Sequence, residues 1–290
     1  TSSIIIMNPE MSAFKTMFDY KLEPEVYSFH LLEALIKKAE KEGITNYPIH
    51  IKLDTGMHRL GFNAEDMPEL IRILKSQTAL IPRSVFSHLV GSDNERFDAF
   101  TRRQIELFEK ASAELQAAFP HKVLCHICNS AGIERFPGAQ FDMVRLGIGL
   151  YGINPVDNSI IHNVSSLHTT ILQIKNVPRE DTVGYSRKGV LDRDSKIAAI
   201  PIGYADGLNR HLGNGHAYCL VNGQKAPYVG NICMDVCMID VTDIDCKEGD
   251  KVEIFGDHLL ISTLSDILGT IPYEVLTGIS TRVKRIYYQD

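Results

Sequence analysis

From Ile4 to Leu146 the sequence alternates short strand-like runs with longer stretches of helical periodicity, and no other feature limits the fold so tightly. The strand-like runs fall at Ile4–Ile6, Glu25–Ser28, Ile49–Leu53, Ser84–His88, Lys122–Ile127 and Asp142–Leu146. Leu32, Leu35, Ile36 and Ala39 place an apolar stripe on a helix over Leu31–Lys41. Further helices are predicted over Ala64–Ser76, over Arg96–Ala118 before the stop at Pro120, and near Ser130–Glu134. Six βα-type units in succession imply a parallel sheet. An open doubly wound sheet would gather its site at one switch point. Here polar and charged residues stand at the C-terminal ends of four strands: Lys52, His88, Asn129-Ser130 and Arg145. That is the address of a barrel's active site. Residues 1–155 are therefore expected to form an α/β domain of the TIM type, an incomplete (β/α)8 barrel.

After Asn154-Pro155 the texture changes. Short strands are predicted at Thr169–Ile174, Ile197–Pro201, Tyr218–Val221, Ala226–Val229, Cys233–Val241 and Lys251–Ile254, separated by turn signals such as Asn222-Gly223. With a helix near Thr263–Leu268 and a last strand at Val283–Tyr288, residues 156–290 read as a separate, mostly β domain. The chain of 290 residues, 44% hydrophobic, has enough apolar material for two cores. A net charge of −6, with no basic run longer than two residues, argues against nucleic acid as a partner. No apolar stretch reaches transmembrane length and no signal peptide opens the chain, so no membrane partner and a cytoplasmic location are expected. Thr1 is not a starting methionine, and the chain reads as a processed or cut piece of something longer.

Two features carry candidate chemistry. Cys125-His126-Ile127-Cys128 has CxxC spacing, but it lies in strand-like alternation, where a redox pair would open a helix and zinc would want four clustered ligands. The six cysteines are read as reduced thiols, with no metal site. The second feature is Ile49–Gly61. A strand ends in Lys52, turns through Asp54-Thr55-Gly56 and reaches Arg59, seven residues on from the lysine. Two cations at the end of a buried strand need a shared anion, so this segment reads as one corner of a carboxylate-holding site.

That segment is one of eight blocks that resemble the alanine racemase family, which uses pyridoxal 5′-phosphate (PLP). The blocks are Lys52–Gly61, Ser87-His88, His126–Ala131, Met143–Gly152, Val183–Tyr185, Ile200–Gly207, Gly230–Asp240 and Ile271–Arg285. The resemblance runs through nearly the whole chain, and it implies a barrel plus a C-terminal β domain. It also implies interconversion of L- and D-alanine by two-base proton transfer, supplying D-alanine for peptidoglycan, in a homodimer with shared sites. It assigns Arg145 to the cofactor's ring nitrogen, and Gly147 and Ile148 to its phosphate through backbone N–H groups. Ser130, read from the residues alone as a helix N-cap, would also hold the phosphate. His88 would pack near the ring and bond Arg145, and Tyr273 would contact the phosphate. Tyr185 would be the catalytic base on one face, reaching the cofactor of the neighbouring subunit. Without the resemblance it would be a packed tyrosine of the β domain. Arg59 and the backbone of Met234, with Asp235 beside it, would bind the substrate carboxylate, and Tyr204 would narrow the entrance. Lys52 matches a lysine often carbamylated in this family; the other reading is a plain lysine paired with Asp54 or with chloride.

In one respect the chain departs from the family. Its Schiff-base lysine sits in a Lys-x-Asn-x-Tyr-Gly-His-Gly-like motif, and Lys15, Lys21, Lys37, Lys38 and Lys41 have no such context. The resemblance therefore implies a chain truncated at its N-terminus, holding strands 3 to 8 of the barrel and inactive alone. Competing readings are a racemase of broader specificity, a decarboxylase-like relative, and a non-catalytic PLP-binding or scaffold protein.

Overall fold

The computed structural model describes residues 2–288 and divides into two units, one running to Gly149 and the other starting at Leu150. In the first, strands and helices alternate as β1 (Ile5–Ile6), α1 (Phe14–Tyr20), β2 (Glu23–Val26), α2 (Phe29–Lys41) and β3 (Tyr47–Lys52). They continue as α3 (Met67–Lys75), β4 (Leu80–Phe86), α4 (Asp98–Ala118), β5 (Leu124–His126) and α5 (Ser130–Arg135). The sheet runs β1-β2-β3-β4-β5, all parallel, each strand beside its successor in the chain. A doubly wound sheet would reverse that order at a switch point; sequential order is the connectivity of a barrel arc.

Local chemistry explains the helices. The Ser28 hydroxyl caps α2 by accepting the Leu31 N–H at 3.3 Å, while Lys38 and Lys41 sit in its last turn where cations favour the helix dipole. α3 follows a turn in which the Asp66 carboxylate accepts the Asn63 N–H at 2.8 Å. Strand alternation then sorts the sheet's two faces. Val26, Ile49, Ile51 and Val85 join the core built by Leu31, Leu35, Leu70 and Phe108 of the helices. The other positions, Glu23, Glu25, His50, Lys52, Ser84, Phe86 and His126, are buried as well, on the opposite face. The apolar face supports the fold. The polar face carries the site.

The sixth expected strand does not form. Asp142–Leu146 runs beside β5 and makes two backbone bonds to it, Asp142 N–H to Cys125 C=O (3.1 Å) and Arg145 N–H to Cys128 C=O (3.0 Å). The Cys125 N–H, which a ladder carbonyl would take, is claimed by the Asp142 carboxylate at 2.9 Å. α1 was not evident from the sequence; it buries only Phe14 and Met17.

The second unit is antiparallel. Its strands are β6 (Leu167–Thr170), β7 (Gln173–Val177), β8 (Thr182–Val183), β9 (Gly189–Val190), β10 (Ser195–Ile200), β11 (Tyr218–Val221), β12 (Gln224–Val229), β13 (Cys237–Asp240) and β14 (Lys251–Phe255). Seven of them form one sheet in the order β6-β14-β11-β12-β13-β10-β7, with β8-β9 as a separate hairpin. Asn222 and Gly223, both at positive φ (49° and 75°), make the two-residue turn that sets the β11–β12 register. Helices α6 (Ile261–Leu268) and α7 (Pro272–Gly278) follow. The strand expected at Val283–Tyr288 is absent because the Arg285 guanidinium takes the Ile279, Ser280 and Val283 carbonyls, and Ile286, Tyr287 and Tyr288 lie exposed without a ladder. Among the described residues no helix is long and apolar enough to cross a membrane.

Candidate active site

Lys52 is the last residue of β3, and its ammonium lies 3.6 Å from the Glu25 carboxylate on β2 and 5.6 Å from the centre of the Phe86 ring on β4. Glu25 is thus the anion beside Lys52, and Asp54 is not. The Asp54 Oδ1 accepts the N–H groups of Gly56, Met57 and His58 at 2.9–3.1 Å and so organises the turn that follows. That turn is closed at its base: Asp54 N–H donates to Phe62 C=O, and Phe62 N–H to Lys52 C=O, both at 2.9 Å. Gly61 is required there, since at φ +135° a Cβ would stand 2.5 Å from the Asp54 nitrogen. Thr55 is fixed by the Ser87 hydroxyl at 2.8 Å, and Arg59, four residues on, is exposed. Burial lowers the Lys52 pKa, Glu25 raises it, and the charges of Arg59 and Arg145 lower it further.

Arg145 is the second cation. Its guanidinium lies 5.1 Å from the same Phe86 ring and donates to the carbonyls of Ser87 (2.5 Å) and Ile127 (3.1 Å), to Nδ1 of His126, and toward Nδ1 of His88 at 3.4 Å. Every partner is neutral. Burial, the largest cause, pulls the Arg145 pKa down to about 10. Burial together with Arg145 pulls His88 to about 4 and His126 to about 3, so both rings are neutral. Lys52 thus feels one carboxylate, Glu25, and two further cations, Arg59 and Arg145, and Arg145 also feels Glu25.

Beside them the Ser130 hydroxyl accepts the N–H of Gly147 at 2.9 Å and of Gly149 at 3.4 Å. Ser130 is not the helix cap. Asn129 is: its side chain accepts the Gly132 N–H at 2.9 Å, which leaves the Ser130 oxygen to the 147–149 turn. Ile148 opens the short turn that follows and is buried. The CxxC thiols take no part: Cys128 donates to Ala139 C=O at 3.2 Å, and burial pushes it up to about 11.

The remaining candidates gather in the second unit. Tyr185 lies between β8 and β9 and is 69% exposed. Gly184, Ser186 and Arg187 around it all have positive φ, so a strained turn presents the ring. Its carbonyl accepts the Asn231 side-chain N–H at 3.2 Å, three residues before Met234. Met234 is exposed, and the 233–234 carbonyls accept the N–H groups of Tyr204 and Ala205 at 3.0 Å, fixing Tyr204 alongside. Asp235 is occupied by Arg282, 2.6 Å away, which also holds Asp206 at 2.7 Å. Tyr273, on α7, meets Tyr151 edge-on at 6.4 Å. The sequence reading missed Glu23, Glu25, His50, Ser84, Phe86 and the ring of His126. The available signal was Glu23-Pro24-Glu25 in a strand, where alternate carboxylates with both faces covered must be paired.

A parallel α/β unit with cations at its strand ends, followed by an antiparallel β unit, defines a two-domain protein of the barrel-arc-plus-β class. Family models make this specific: residues 1–155 match "Alanine racemase, N-terminal domain" and residues 164–287 match "Alanine racemase, C-terminal domain". The chain belongs to the alanine racemase family. It is 38% identical to alanine racemase 1 of Clostridium acetobutylicum, over 97% of this chain and 75% of that protein. The solved alanine racemase of Clostridium difficile superposes with a TM-score of 0.92 at 32% identity, covering 99% of this chain and 77% of that one. That of Bartonella henselae, solved with covalently bound pyridoxal phosphate, superposes with a TM-score of 0.87 at 30% identity, covering 99% and 79%.

Proposed function

We propose that this chain carries the cofactor-binding residues and one of the two bases of an enzyme that racemises alanine with pyridoxal 5′-phosphate. The observation that carries the reading is Arg145, a largely buried guanidinium whose partners are all neutral, next to the Ser130 hydroxyl and the N–H groups of Gly147 and Gly149. Those residues fit a group with an electron-rich ring nitrogen and a phosphate. Arg145 suits the nitrogen, and Ser130, Gly147 and Ile148 suit the phosphate, with His88 beside the ring and Tyr273 at the phosphate. When bound, the cofactor supplies the electron sink that acidifies the substrate's α-hydrogen. A cationic arginine at the ring nitrogen donates a hydrogen bond without protonating it, which keeps the sink weak and limits side reactions.

The remaining roles fall to other residues of this chain. Arg59, which has no ion-pair partner among the described residues, and the Met234 backbone N–H bind the substrate carboxylate, and Asp235 holds that turn through Arg282. Lys52, whether as ammonium on Glu25 or as a carbamate, orients Arg59. The Tyr185 hydroxyl removes or returns the α-proton on one face, in the site of a second copy of the chain, so the working form is a homodimer. Tyr204 narrows the entrance to an alanine-sized side chain. The product D-alanine suits peptidoglycan synthesis, and the protein acts in the cytoplasm.

The second base would be the lysine that holds the cofactor covalently, and no lysine among the 290 residues has its sequence context. The 290-residue chain is therefore expected to bind pyridoxal phosphate reversibly. Dialysis should remove the cofactor, borohydride should fix none of it to a lysine, and L-alanine should remain unconverted. A borohydride-fixed lysine together with D-alanine would refute this inactivity. No binding of the cofactor at all would refute the proposed roles of Arg145 and Ser130.

A further inference from the structure

A line of buried polar side chains crosses the first unit's sheet, one from each of β2 to β5, and ends on Arg145. Arg83, half-exposed, reaches Glu23 Oε1 at 2.5 Å. Glu23 Oε2 meets His50 Nε2 at 2.8 Å, and His50 Nδ1 meets the Ser84 hydroxyl at 2.6 Å. The same hydroxyl meets His126 Nε2 at 3.2 Å, and His126 Nδ1 meets the Arg145 guanidinium. Glu23, His50, Ser84 and His126 are 5%, 3%, 0% and 1% exposed, so solvent offers these groups almost no alternative partner.

The line has only one consistent assignment of protons. A guanidinium donates and cannot accept, so His126 Nδ1 is an acceptor and its proton lies on Nε2. That Nε2–H donates to Ser84, whose own hydrogen then goes to His50 Nδ1. His50 carries its proton on Nε2 and donates it to Glu23, which as a carboxylate only accepts. Started from Glu23, the same reasoning runs back to an acceptor at His126 Nδ1. Burial lowers the pKa of both histidines, which keeps them neutral as this assignment requires.

We infer that Glu23, His50 and Ser84 are positioning residues for Arg145: they fix the tautomer of His126 and so aim the guanidinium at the cofactor. This rests on the reading, proposed above, that Arg145 faces the bound cofactor's ring. With Glu23 removed, the line could reverse and turn a His126 N–H toward the Arg145 N–H, two donors face to face.

The test uses the 290-residue chain, 15N-labelled in histidine and arginine, without cofactor, so that its outcome does not depend on pyridoxal phosphate binding. In Arg145→Met, which removes the donor at one end, His126 should keep the widely separated ring-nitrogen shifts of the Nε2–H tautomer. Adding Glu23→Gln should collapse them toward their mean. A collapse in Arg145→Met alone would show that Arg145, not Glu23, sets the tautomer, and would overturn the inference. Should Arg145→Met fail to fold, Ser84→Ala and Ser84→Thr decide. The alanine variant should lose the slow-rotating Arg145 guanidinium signal and the threonine variant, which restores the hydroxyl, should keep it. An unchanged signal in Ser84→Ala would equally overturn the inference.

Discussion

A neutral buried histidine is a liability in acid; His126 and the half-buried His88 flank Arg145, and buried His50 lies one hydroxyl beyond His126. His50, His88 and His126 all have pKa values lowered chiefly by burial, the last two to about 4 and about 3. In the unfolded chain each titrates near pH ~6.5, so below that the unfolded state binds more protons than the folded one. Their contribution is fully present above about pH 6.5 and is lost as the pH falls toward the folded values. Asp54 and Asp206, also lowered from 3.8, add to the loss only at the acid end of the range, below about pH 5. Urea unfolding followed from about pH 7 to 4.5 should show a steady fall in midpoint, and His126→Gln should flatten it. A midpoint independent of pH across that range would contradict the burial argument. At this scale the sequence was half legible. Lys52, Arg59 and Arg145 stand out as cations at strand ends. Glu23, Glu25 and His50 look like the solvent-side positions of ordinary strands, because alternation says which residues share a face and not whether that face is covered.

Among the elements, the loop from Asp54 to Gly61 is the most tightly specified, and it carries Arg59. Three N–H groups on the Asp54 carboxylate and two backbone bonds to Phe62 leave it little freedom. Gly61→Ala would drive a Cβ to 2.5 Å from the Asp54 nitrogen and 2.6 Å from the Leu53 carbonyl carbon, at a φ that L residues rarely adopt. Since rigid backbone lies on both sides, the loop must open, and the expected cost is about 3 kcal/mol. Urea unfolding would register that cost, and Arg59 displacement would appear as weakened binding of a small carboxylate. A variant as stable as the parent would mean that the loop yields easily. The helices α2 and α4 were readable because each buries one face of its own periodic pattern, and β11 because its short apolar run ends at the Asn222-Gly223 turn. Asp142–Leu146 and Val283–Tyr288 have strand-like composition, but side chains of Asp142 and Arg285 occupy backbone groups a ladder would need. Propensity does not register such competition.

For the molecule as a whole, the candidate residues divide cleanly, with Lys52, Arg59, His88, Ser130 and Arg145 in one unit and Tyr185, Tyr204, Met234 and Tyr273 in the other. The proposed homodimer makes a specific prediction from that division. Consider a racemising form that carries the cofactor-binding lysine, made in two inactive variants, Tyr185→Phe and Arg145→Ala. If Tyr185 serves the site of the second copy, a mixed dimer contains one site with both residues intact and one with neither. Random reassortment makes half of all dimers mixed, so mixing equal amounts should restore about a quarter of the parent rate. If each site used the tyrosine and arginine of one chain, every site in the mixture would lack one of them, and mixing would restore nothing. Measuring D-alanine formation before and after the two variants are denatured and refolded together separates these cases. The loss in Tyr185→Phe alone should be at least ~100-fold, the scale expected for removing a general acid–base group. It should fall on α-hydrogen exchange from one enantiomer of alanine in D2O and spare the other, because Tyr185 addresses one face only.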